Sequence, residues 1–117
     1  MEKSLKNLIE QLNNQPKNVE FEDVMKVISD NFDYTPTQFT NGNAVNEAGT
    51  NEGSCKIFAF AKLANLTPEQ TLHCFGRYYR QDVVENPEGE DHANIRNFIK
   101  YGWGKVNFEQ NALTEKG

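Results

Sequence analysis

No stretch of this 117-residue sequence stays apolar for the roughly 20 residues that a bilayer requires, and no run of lysine or arginine occurs anywhere in it. The first absence argues against a membrane span and against the apolar core of a signal peptide, so the chain is expected in the cytoplasm. The second, with a formal net charge of −5, argues against nucleic acid and anionic membrane surfaces as partners, because basic side chains supply most of that affinity. Cysteine is scarce: Cys55 and Cys74 lack paired ligand spacing, and a reducing compartment keeps both as thiols. Neither of the two histidines falls in a His-x3-His or Glu-x-x-His pattern, so no metal and no cofactor are expected.

Enough apolar material remains to fold: 37% of residues are hydrophobic and 25% charged, within the range of globular chains. No internal repeat or linker divides the chain, and residues 1–117 are expected to form a single domain.

Five helical patterns are visible. Ser4 can cap a first helix carrying Leu5, Leu8, Ile9 and Leu12, which Asn13-Asn14-Gln15-Pro16 breaks. Phe21, Val24, Met25, Val27, Ile28 and Phe32 share one face of a second, which ends before Thr35-Pro36. The third, from about Gly53 to Asn65, is almost continuously apolar through Ile57, Phe58, Ala59, Phe60 and Ala61, and its alanines favour a buried central helix. Thr67-Pro68-Glu69-Gln70 has the order of a capping box with proline at the first helical position, followed by Leu72, Phe75, Tyr79 and Val83 on one face. After an Asn86-Pro87-Glu88-Gly89 turn, Asp91 can cap a last helix that buries Ile95, Phe98 and Ile99 and stops at Gly102. The expected fold is therefore mainly α, a compact bundle of about five helices. A minor two-stranded element would pair Trp103–Phe108 with Thr37-Gln38-Phe39.

The chemistry-bearing residues fall in three places. Between the second and third helices, Asp33 to Glu52 is long for a structureless connection, rich in Asn and Gly, and without lysine or arginine; it leads into Gly49-Thr50-Asn51-Glu52-Gly53-Ser54-Cys55-Lys56. That string is not a phosphate loop, which needs Lys and then Ser/Thr directly after its second glycine, behind a strand. Amides at the helix start, with Ser54 or Lys56, could still hold a small anion, and capping by Asn51 or Ser54 is the plainer role. Cys55 in a first turn could have its thiolate stabilised by the helix dipole, with His92 as base and Asp91 or Asn94 as orienter; equally, Cys55 is a small hydrophobe beside an apolar run. Arg77 and Arg80, with His73, recur at helical spacing and either pair locally with Asp82, Glu85 or Glu69, or join Arg96 and Lys56 in recognising a carboxylate, a phosphate or an acidic partner.

Taken together, several strings resemble the HopJ family of type III effector proteins across nearly the whole chain. They are Pro36-Thr37-Gln38-Phe39 with Asn41-Gly42, Asn46 to Lys56, Phe75-Gly76-Arg77-Tyr78-Tyr79-Arg80 with Asp82-Val83, Asn86-Pro87, Asp91-His92-Ala93-Asn94-Ile95-Arg96, and Gly102-Trp103. The resemblance implies a protein named for delivery into host cells, with a host or bacterial protein as partner, and it carries over no catalytic residue. It shares three locations with the residue-level reading. Asn51, Glu52 and Lys56, then Arg77 and Arg80, then Asp91, His92 and Arg96 are expected as binding residues around one surface depression. A binding module is the leading expectation, and an enzyme or small-ligand-binding protein using Cys55 and His92 is the alternative.

Overall fold

The computed structural model describes residues 3–116. Helix α1 spans Lys3–Asn14, and a 3-10 turn over Pro16–Asn18 leads to α2, Phe21–Asn31. Leu5, Leu8 and Leu12 bury one stripe of α1, as their spacing requires; the cap expected of Ser4 lies outside the described side chains. Three short strands follow, β1 (Phe32–Tyr34), β2 (Phe39–Asn41) and β3 (Ala44–Asn46), and then α3, Glu52–Leu63. Helix α4 covers Pro68–His73, a π-helical segment Tyr78–Val83, α5 Ala93–Tyr101, and then come a last 3-10 turn (Gly102–Lys105), β4 (Val106–Phe108) and β5 (Leu113–Glu115).

Helix α3 is the centre of the core. Ile57, Phe58, Phe60 and Ala61 are all buried, so its faces are covered on every side and it shows the weak amphipathicity of a helix surrounded by protein. The Phe58 ring lies 5.0 Å from Phe98, 5.6 Å from Phe75, 6.0 Å from Phe39 and 6.1 Å from Trp103, joining α3 to α5, β2 and the last 3-10 turn. The capping box at α4 forms in full: Gln70 N donates to Thr67 Oγ1 at 3.1 Å, and Thr67 N donates to Gln70 Oε1 at 3.0 Å.

The bundle expectation is corrected. The fold is mixed α/β, with two small antiparallel sheets, β1–β5 and β3-β2-β4. Val106–Phe108 does pair near Phe39, but the register is Phe39↔Phe108 and Asn41↔Val106, so the partner strand runs two residues beyond the one expected. Each strand is three residues long, too short for a period of two to stand out, and the Asn/Gly-rich connection contains the β2–β3 hairpin. Gly42 supplies the positive φ of +64° at the first turn position, where a side chain would be strained and would also meet the Tyr101 ring.

Two helix boundaries also move, and one face turns outward. The single helix expected from Thr67 to Val83 breaks at Gly76, whose φ is +60° and whose Cα faces the Phe21 amide so closely that a Cβ would stand 2.7 Å from that nitrogen. Asp91 does not cap α5; His92 occupies the cap position at φ 52°. Ile99 lies on the outer face of α5, half-exposed, because α5 packs on the core through Ile95 and Phe98.

Candidate functional site

The starts of α3 and α5 and the β2–β3 hairpin come together at one cavity of about 580 Å³. Its apolar wall is Phe21, Phe75, Tyr78 and Ile95; its polar edge is Asn51, Ser54 and His92, with Asn46 and Asn94 behind. Gly53 is small for a reason: a Cβ there would stand 2.9 Å from the Phe21 ring, which closes onto the first turn of α3. Of the first-turn residues of the two helices, Gly53, Ser54, Ala93, Asn94 and Ile95 line the cavity, and among the described residues neither helix has a side-chain cap bond. First-turn N–H groups lack partners within their own helix, so this end of the cavity is rich in hydrogen-bond donors.

A network of asparagine side chains fixes the two helix starts relative to the hairpin. Asn41 Nδ2 donates to Asn94 O at 2.7 Å and to Asn94 Oδ1 at 3.2 Å; Asn46 Nδ2 donates to the same Oδ1 at 3.1 Å. Asn94 Nδ2 returns a bond to Asn46 Oδ1 at 2.9 Å, which also accepts from Asn51 Nδ2 at 2.7 Å. Asn41, Asn46 and Asn94 are buried, where an unpaired amide is expensive, so this network specifies the site's geometry. Asn51 and His92, both non-glycine residues at positive φ (48° and 52°), sit at the two N-cap positions it holds.

His92 is held from the other side. Its Nε2 lies 3.0 Å from Asp82 Oδ2 and 3.8 Å from Asp91 Oδ2, and its ring packs 5.5 Å from that of Tyr78. Asp91 in turn pairs with Arg96 at 2.6 Å, and this hydrogen bond holds its carboxyl below the usual carboxylate range. Arg96 also donates to Asn86 O at 2.9 Å and Asp91 O at 2.6 Å, which closes the 86–91 loop onto α5.

Of the residues singled out from sequence, Asn51, Ser54, His92 and Asn94 line the cavity, with Asp91 and Arg96 behind His92. The arginine face does not form. Arg80 donates to Val19 O, to Pro16 O at 3.3 Å and to His73 O at 3.4 Å, binding the 16–19 turn to the end of α4. Its charge and the burial of His73 together depress that histidine's pKa, burial contributing more. Arg77 is exposed and lies 5.9 Å over the Tyr78 ring; Lys56 lies 4.7 Å over the Tyr34 ring; Glu52 is exposed at the start of α3. Asp82, an arginine partner by spacing alone, instead orients His92. Ten residues and a turn separate the two, and no periodicity announces such a pair.

Cys55 is buried and does not line the cavity that His92 lines. Burial raises its pKa despite its place in a first turn, and burial pushes Cys74 up to about 12. Iodoacetamide at neutral pH is therefore expected to label native Cys55 at least about tenfold more slowly than the urea-unfolded chain. Mass spectrometry of timed samples checks this, and equal rates would mean that the thiol is accessible.

Among the described residues, no helix is long and apolar enough to cross a membrane. The HopJ type III effector protein family matches residues 5–113. The chain belongs to the HopJ family. A crystal structure of the unknown-function protein VPA0580 is 52% identical to this HopJ-family chain and superposes with a TM-score of 0.96, covering 99% of this chain and 97% of that one. No curated protein matches.

Proposed function

We propose that this HopJ-family chain is a binding domain whose ligand is a small molecule seated in the cavity between the starts of α3 and α5. The observation that carries the reading is the cavity itself. Its volume of about 580 Å³ is that of small-molecule sites, and an aromatic wall faces a few oriented polar groups. The buried asparagine network supports the same reading, since it holds both helix starts in place before any ligand arrives. Export through a type III system into a host cell, and a protein partner there or in the bacterium, belong to the same reading and are supported by the family's name alone.

The test uses para-nitrophenol as a probe with an aromatic body and one polar head. Ala93 is exposed at the rim of the cavity, so Ala93→Phe fills the mouth without disturbing the core. The variant is expected to keep its unfolding midpoint and to bind the probe at least about tenfold more weakly, a loss of about 1.4 kcal/mol. Equal binding by both proteins, or by neither, would overturn the cavity as the ligand site.

A further inference from the structure

We propose that His92 is the hydrogen-bond and proton acceptor of the cavity, that Asp82 is its positioning residue, and that the ligand class is a molecule presenting a hydroxyl from an apolar, aromatic-sized body. The inference rests on the cavity reading above and adds the chemistry of the ligand.

The two ring nitrogens of His92 are not equivalent. Nε2 faces two carboxylates, Asp82 Oδ2 at 3.0 Å and Asp91 Oδ2 at 3.8 Å. An ionised carboxylate only accepts, so in the neutral ring Nε2 carries the proton and donates it to Asp82. Nδ1 is then left with a lone pair, and no hydrogen bond from another described residue reaches it. The ring itself lines the cavity. A carboxylate that fixes the tautomer and raises the basicity of the opposite nitrogen is the general way a protein presents an imidazole lone pair.

Two further features keep that lone pair in place. The Tyr78 ring lies 5.5 Å away at an interplanar angle of 44°, and Tyr78 meets Phe21 edge-on at 5.2 Å, so the imidazole closes one end of a continuous aromatic wall. Arg96 holds the competing carboxylate, Asp91 Oδ1, at 2.6 Å, which leaves Asp82 as the nearer partner of Nε2.

The complementary ligand group follows from the rest of the cavity edge. The first turns of α3 and α5 contribute N–H donors, and Nδ1 contributes an acceptor. A hydroxyl satisfies both at once: its proton goes to Nδ1, and its oxygen accepts from a helix-start N–H. A bare carboxylate or phosphate leaves Nδ1 unmatched and faces Asp82 and Asp91 across the ring. An apolar body against Phe21, Phe75 and Tyr78 completes the match.

The test has two parts. A long-range proton–nitrogen correlation spectrum of the folded, unmodified protein in alkaline buffer is expected to show the ring proton of His92 on Nε2, and Asp82→Ala to give a mixture of tautomers. In neutral buffer, binding of para-nitrophenol to the unmodified protein is expected to raise its nitrophenolate absorbance, because Nδ1 draws the phenolic proton. His92→Gln is expected to retain the folded spectrum and lose that rise, with binding weakened about tenfold for one lost hydrogen bond to a charge-assisted partner. A proton on Nδ1 in the unmodified protein, or an undiminished absorbance rise in His92→Gln, would overturn the acceptor role while leaving the cavity reading intact. Probe binding that survives in Ala93→Phe would overturn both.

Discussion

Phe58→Ala is expected to lower the unfolding free energy by about 4 kcal/mol, a large part of what a domain of this size possesses. The ring is fully buried at the middle of α3 and touches the rings of Phe39, Phe75, Phe98 and Trp103. These four come from β2, the turn after α4, α5 and the last 3-10 turn. Truncation removes the transfer free energy of the ring, and because its neighbours belong to four different segments they cannot all move in, so a cavity term adds to the loss. Urea unfolding should show an earlier midpoint with little change in slope. A loss below about 1 kcal/mol would mean that the core is not organised around α3.

Asn94→Ala is expected to cost about 3 kcal/mol and also to loosen the candidate site. The substitution deletes the acceptor shared by Asn41 and Asn46 and the donor to Asn46, and it leaves those amides buried with fewer partners. Among the described residues Asn41 Oδ1 is already buried without a hydrogen-bond partner, so the network has little slack. Amide exchange should show the effect spreading from α5 to the β2–β3 hairpin and to Asn51, while α1 keeps its protection. A variant as stable as the parent would mean that these amides are not mutually supporting.

How much of this was legible in the sequence varies with the kind of signal. The buried central helix was readable because Ile57 to Ala61 is too apolar for any surface position, and the α4 start because Thr67 and Gln70 carry the capping chemistry within three residues. Of the sheets only the β2–β4 pair was legible, two residues out of place, since three-residue strands show no alternation; a local cue for the hairpin is the Asn41-Gly42 pair, and Gly42 does turn it. The break at Gly76 depends on the backbone of Phe21, far away in sequence, so helical spacing alone carried the pattern through it.

The site divides the same way. Asn51 and His92 stood out as polar residues at helix starts, and the fold brings both to one cavity. Arg80 and Arg96 stood out as charges, but long guanidinium side chains bend back to backbone carbonyls, and the chain's folding decides which carbonyls are near. Cys55 suggested a reactive thiol from its place in a first turn, yet burial outweighs the dipole there. Asp82 gained its role only through the approach of the π-helical segment to the start of α5.

Amide chemical-shift mapping with para-nitrophenol reads out whether a small molecule occupies the cavity between the starts of α3 and α5. The largest shifts are expected on Gly53, Ser54, Ala93, Asn94 and Ile95, with His92 side-chain resonances moving in step. Largest shifts on Ile99 of the outer face of α5 and on the neighbouring Val84, or shifts scattered over the surface without saturation, would rule that out.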